Sequence, residues 1–115
     1  MANNAKPRAI TFRIRGNWLG LTRLIKSLDC NLLSDGNIVP KKQDASWLVE
    51  VARSRPIYTA IPEGSSDLGS ATSYILKPYS DGGVAYPGFE ERQIAFSKEV
   101  RAIEKKKLVV DNGVS

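Results

Sequence analysis

The stretch Arg8–Leu28, RAITFRIRGNWLGLTRLIKSL, constrains the fold most, because its hydrophobic period changes halfway along. Ile10, Phe12 and Ile14 alternate with Thr11, Arg13 and Arg15, the period of a strand with one face buried and one face wet. After Gly16, Asn17 is a suitable N-cap, since its side-chain oxygen can accept from a backbone N–H two or three residues on. Trp18, Leu21, Leu24, Ile25 and Leu28 then recur at helical spacing, with Thr22, Arg23, Lys26 and Ser27 on the other side. A strand with one apolar face, followed by a helix with one apolar stripe, calls for a sheet that the helix can cover. Gly20 inside the helix costs about 1 kcal/mol relative to alanine, so it either permits close packing or weakens the helix.

The 115 residues suit one small globular domain, and 42% hydrophobic with 25% charged residues is ordinary for a chain that folds. No apolar run reaches the roughly 18 residues of a membrane span. No hydrophobic segment follows the basic residues at the start, and there is no N-x-[ST] acceptor. A cytoplasmic protein is expected. Cys30 is the only cysteine and there is no histidine, so an internal disulfide is impossible and zinc is effectively excluded. Neither a metal nor a cofactor is expected, and Cys30 reads as a structural thiol.

The net charge of +5 is unevenly placed. Residues 1–29 hold six basic residues and one acid, which equals the whole excess, and the remaining chain sums to zero. A cationic opening unit suggests an anionic partner.

Farther along, Asp35-Gly36 marks a two-residue hairpin turn between Leu32-Leu33 and Ile38-Val39. Trp47, Val49 and Val51 alternate as a second strong strand. Ile57, Thr59 and Ile61 give a third, closed by Pro62. Residues 62–72, PEGSSDLGSAT, form a long loop read as a mobile linker. Ser73–Tyr79 is extended again, and Asp81-Gly82-Gly83 turns it back into Val84–Tyr86. Phe89, Phe96, Val100 and Ile103 line one face of a second helix over 89–107, with Glu90 and Glu91 in its first turn and Lys105, Lys106 and Lys107 in its last. Leu108–Val110 is a candidate edge strand, and residues 1–7 and 111–115 are expected to fray. The predicted architecture is a two-layer α+β sandwich: a small, mainly antiparallel sheet with two helices packed on one face. Its expected core is Ile10, Phe12, Ile14, Leu21, Ile25, Leu28, Trp47, Val49, Val51, Phe96, Val100 and Ile103.

Catalytic patterns are weak. Glu90 and Glu91 are adjacent on a helix and point about 100° apart. Gly82-Gly83 lacks the helix and lysine of a phosphate loop, and Ser65 and Ser66 have no histidine partner. A non-enzymatic binding module is expected. Its candidate contacts to nucleic-acid phosphates, RNA or DNA, are Lys6, Arg8, Arg13, Arg15, Arg23, Lys26, Lys41, Lys42, Arg53 and Arg55. Tyr58, Tyr74, Tyr79 and Tyr86 are candidate base-stacking groups. The element order is similar to the split βαβ arrangement that RNA-recognition domains also use, although Trp47–Arg53 lacks their aromatic signature. The alternative is an accessory subunit or inhibitor that docks the same cations on an acidic surface of a larger protein complex, aided by a sheet edge or by the 62–72 loop.

Overall fold

The computed structural model describes residues 9–41, 55–79 and 88–114, with the side chains of the last helix followed as far as Lys106. Among the described residues, five strands and two helices occur in the order β1 (Phe12–Arg15), α1 (Trp18–Ser27), β2 (Cys30–Leu32), β3 (Asn37–Pro40), β4 (Tyr58–Pro62), β5 (Ser73–Pro78) and α2 (Phe89–Val114), with a short 3-10 turn at Leu68–Ser70. The sheet order is β1-β5-β4-β3-β2 and every neighbouring pair is antiparallel.

This sheet corrects the split βαβ expectation. In that unit one strand separates the two strands joined by the helix. Here β5, β4 and β3 all lie between β1 and β2, which form the two edges.

The opening unit forms as its period requires. Phe12 is buried and Ile10 and Ile14 pack against the core, while Arg13 and Arg15 are exposed. Asn17 caps α1 by accepting from the Gly20 N–H at 2.9 Å, and Leu21 and Ile25 bury its inner stripe. The helix ends at Ser27 with Leu28 as its C-cap, and Asp29 just beyond has φ +59°, in the left-handed region that aspartate tolerates better than most side chains. A Cβ at Gly20 would meet only the Asn17 Oδ1, at 3.5 Å, so this glycine is not required for close packing.

The core is one cluster. Leu21, Ile25 and Leu28 from α1 and Phe96 and Val100 from α2 meet Phe12, Ile38, Tyr58, Ala60, Tyr74 and Leu76 from the sheet, so both helices cover the same face. The Tyr58 ring lies 4.5 Å from Phe96 and 6.3 Å from Phe12, and its hydroxyl donates to the Ile10 carbonyl at 2.7 Å. Trp18 meets Tyr74 edge-on at 6.1 Å, and the Tyr74 hydroxyl donates to the Leu68 carbonyl. Gln93 is buried on α2, and its amide donates to the carbonyls of Ile57 and Tyr79, each at 3.3 Å, which ties the helix to the ends of β4 and β5.

Three local expectations change. The strand expected from Ile57, Thr59 and Ile61 starts at Tyr58: Ile57 just before it is buried, as are Tyr58 and Ala60 within it, while Ile61 is 39% exposed. Tyr58 offers the larger apolar surface and a hydroxyl that reaches the Ile10 carbonyl just before β1, which favours this register. The edge strand expected at Leu108–Val110 is instead part of α2, which continues to Val114. Lysines and leucine favour helix, and no glycine or proline interrupts the run before Gly113. Residues 62–72 are also tied down: Leu68 packs on the core, Ala71 is buried, and the Ser70 hydroxyl donates to the Asp67 carboxylate at 2.6 Å. The strand expected at Trp47–Val51 and the hairpin at Asp81–Tyr86 lie outside the described residues.

The β2–β3 turn is longer by one residue than the two-residue loop expected. The Leu33 N–H donates to the Asn37 carbonyl at 2.8 Å and the Gly36 N–H to the Leu33 carbonyl at 2.9 Å, leaving Ser34, Asp35 and Gly36 as the loop. Gly36 has φ +94°, and a Cβ there would fall 2.6 Å from the Ala60 carbonyl oxygen. Replacing Gly36 with alanine is therefore expected to cost at least ~1–2 kcal/mol from the left-handed backbone alone, measured by urea unfolding; an unchanged midpoint would refute the close approach to β4.

Cys30 is buried, and its thiol is pushed up to about 12, chiefly by burial, with the charges of Asp29 and Glu99 adding to the effect and Arg92 opposing it. A thiol raised in the folded state favours folding fully below the ordinary thiol range, and that contribution is lost as pH rises toward 12. In mildly alkaline buffer a thiol reagent should label the native protein only as fast as it opens, and label it promptly in denaturant. Prompt labelling of the native protein would contradict the burial.

Candidate docking face

With both helices on one side, the opposite face of β1, β5 and β4 carries the exposed side chains of Arg13, Arg15, Ile61 and Lys77. Register sets its side chains in rows. Arg13 is across from Ile75, which is across from Ile61; Arg15 is across from Ser73; and Lys77 is across from Thr59. Glu63 extends the Arg15–Ser73 row, its N–H donating to the Ser73 carbonyl at 2.9 Å. Thr59 donates through its hydroxyl to the Asn37 side-chain oxygen at 2.9 Å, closing the far side of the face with polar groups.

Arg13 and Glu63 form a fork across β5. Arg13 donates from Nε to Oε1 at 3.0 Å and from Nη2 to Oε2 at 3.1 Å, and the Ser73 hydroxyl donates to the same Oε1 at 2.8 Å. The Ser73 hydroxyl first, then the Arg13 guanidinium, hold the Glu63 carboxyl below its ordinary value, and the Arg15 charge acts in the same direction. The side chains of Arg13 and Glu63 are 61% and 31% exposed, so water screens the pair. What the fork supplies is orientation: it holds the guanidinium toward Glu63 across β5 and consumes part of its donor capacity.

The sequence candidates therefore separate into groups. Arg13 and Arg15 share the open sheet face. Arg23 and Lys26 are exposed on the outer side of α1, which packs on the opposite face. Lys41 and Arg55 are exposed where β3 ends and β4 approaches, at the end of the sheet away from Arg15. Lys6, Arg8, Lys42 and Arg53 lie outside the described residues. Among the described residues the cations of the strand and those of the helix belong to different layers, Arg13 and Arg15 to the sheet and Arg23 and Lys26 to α1.

The stacking groups also need correction. Tyr58 and Tyr74 are 0% exposed, with their hydroxyls bound to backbone carbonyls, and Tyr79 is half-buried. Tyr86 lies outside the described residues. Sequence reading missed Lys77, Glu63 and the apolar pair Ile61–Ile75. Alternation in Ser73–Lys77 contained Lys77, but Tyr74, Ile75 and Leu76 are all apolar, so the pattern did not say which face would be open.

No group of three histidine, cysteine, aspartate or glutamate side chains is placed to hold a metal among the described residues, and no described helix is long and apolar enough to cross a membrane. Comparisons with protein-family models, with curated proteins and with solved structures found no match to the chain.

A lowered native carboxyl adds stability above the unfolded glutamate value, and that contribution is lost as pH falls through the native one. An NMR titration of the side-chain carboxyls should find Glu63 below an ordinary glutamate, and Ser73→Ala should move it upward. An ordinary value in the unmodified protein would mean that the fork does not persist in solution.

Proposed function

We propose that this protein is a non-enzymatic binding module whose open sheet face docks on an acidic surface of another protein. The observation that carries this reading is the exposed Ile61 beside Ile75, bounded by Arg13, Arg15 and Lys77. Such a patch loses water from its apolar centre on contact, and a cationic rim steers and orients an anionic partner. Arginine suits this role because its planar guanidinium pairs with a carboxylate through two hydrogen bonds. Burial keeps the Cys30 thiol protonated and out of reach, which makes it a poor nucleophile, in keeping with a binding role. The lone cysteine also suits a reducing compartment, and the cytoplasm is the setting this reading assumes.

A second reading, contact with nucleic-acid phosphates, is favoured by Arg15 and Lys77, which are both exposed on that face. It lacks support from aromatic stacking, since Tyr58 and Tyr74 are buried.

Immobilised protein and its Arg15→Glu/Lys77→Glu variant can be compared in nuclease-treated extract of the source cells at about 0.15 M salt, a condition that screens distant surface charges. An acidic protein retained by the unmodified face and lost from the variant is the expected result. Equal retention by both would overturn the assignment of the face. Fluorescence anisotropy with labelled RNA and DNA tests the second reading: affinity that falls log-linearly with salt and disappears in the variant would replace the protein-docking reading with phosphate contact.

A further inference from the structure

The outer edge of β1 adds a contact of a different kind. Antiparallel pairs alternate between residues that exchange backbone hydrogen bonds and residues that do not. The Gly16 N–H donates to the Thr72 carbonyl at 2.8 Å, in the same register as Ile14 with Tyr74 and Phe12 with Leu76. Even-numbered residues of β1 therefore bond to β5, and the backbone N–H and C=O groups of Arg13 and Arg15 project to the other side. The pairing on the far side of β5 agrees: the Glu63 N–H donates to the Ser73 carbonyl, in register with Ile61 and Ile75, so odd-numbered residues of β5 turn toward β4. Among the described residues β1 is the last strand at its end of the sheet.

We infer that this edge accepts an extended, acidic segment of the partner protein as an added strand. The inference rests on the protein-docking reading and names the mode of contact. Main-chain hydrogen bonds to Arg13 and Arg15 supply the pairing, and alternate side chains supply the choice of sequence. On the open face, acidic residues at every second position of the incoming strand lie beside Arg13 and Arg15. On the other face, the intervening residues lie beside half-buried Ile14 and are apolar.

A second copy of this chain is a poor occupant. Two β1 edges paired with each other bring Arg13 and Arg15 of one strand beside those of the other, at cross-strand spacings of about 4.5–5.5 Å, where like charges repel. Edge cations commonly prevent self-pairing, and the same two arginines favour a strand of opposite charge. The opposite edge, β2, is three residues long, and its half-buried Asn31, across from buried Val39, carries no charge to select an acidic strand.

The probe is a capped hexapeptide alternating glutamate and valine, titrated into the full-length protein with amide hydrogen exchange read by NMR. Exchange at the Arg13 and Arg15 amides is expected to slow by about tenfold or more at saturation, with much smaller changes at Phe12 and Ile14, whose amides are already bonded to β5. A peptide with lysine in place of glutamate, and one N-methylated along the bonding edge, are expected to lose the effect. Shifts at Ile61, Ile75 and Lys77 without protection of Arg13 and Arg15 would overturn strand addition and leave face docking intact. No response to the peptide from a protein that still retains its acidic partner through Arg15 and Lys77 would do the same. Loss of both responses would remove the docking reading as well. Equal protection by the lysine peptide would assign the edge to strand pairing without charge selection and overturn the acidic partner.

Discussion

The buried ring of Tyr58 is the contact on which the arrangement depends. It belongs to β4, packs between Phe12 of β1 and Phe96 of α2, and gives its hydroxyl proton to the Ile10 carbonyl. One side chain thus joins a middle strand, an edge strand and the second helix. An aromatic ring of this size contributes far more through removal from water than through its single hydrogen bond. The bond nevertheless sets direction, because the phenol must reach one particular carbonyl. With Tyr58 facing inward, alternation turns Thr59 and Ile61 outward, and the apolar centre of the open face follows from the packing of the core.

The same alternation decides what the positive charge can do. Arg13 and Arg15 stand on the sheet and Arg23 and Lys26 on the outer side of a helix, with the hydrophobic core between the two layers. Within the open face the charges are ordered by neighbours. Glu63 holds Arg13 in a fork, and Ser73 orients the carboxylate from below. Arg15 and Lys77 flank this fixed pair along the strands, so the face combines one oriented guanidinium with two exposed cations around an apolar pair.

Much of the fold was legible where one period dominated. The strand through Phe12, the Asn17 cap and the Leu21–Ile25 stripe all carry their partners within a few residues, and local physics suffices for them. The faces of β4 and β5 were less legible because apolar side chains occur on both sides of each strand, and only a distant partner, Phe12 or Phe96, decides which side is buried. Leu108–Val110 looked like a strand because β-branched valines favour extended backbone, whereas continuity with the lysine-rich helix before them prevails. The candidate site was legible in its residue types and not in their grouping. Charge counting found the cationic opening unit, but sharing of a surface depends on sheet order, which no short sequence window contains.

Sheet order also governs the time at which the chain can complete itself. Phe12 pairs across from Leu76, so the strand synthesised first must wait for a partner made 64 residues later. At ordinary translation rates this delay is roughly 3–13 s. During that interval α1 and the β2–β3 hairpin can form from neighbouring sequence, while β1 carries an apolar face with nothing to cover it. Like charges at Arg13 and Arg15 give that unpaired strand a hydrated face that repels its own copies until β5 emerges to close the sheet.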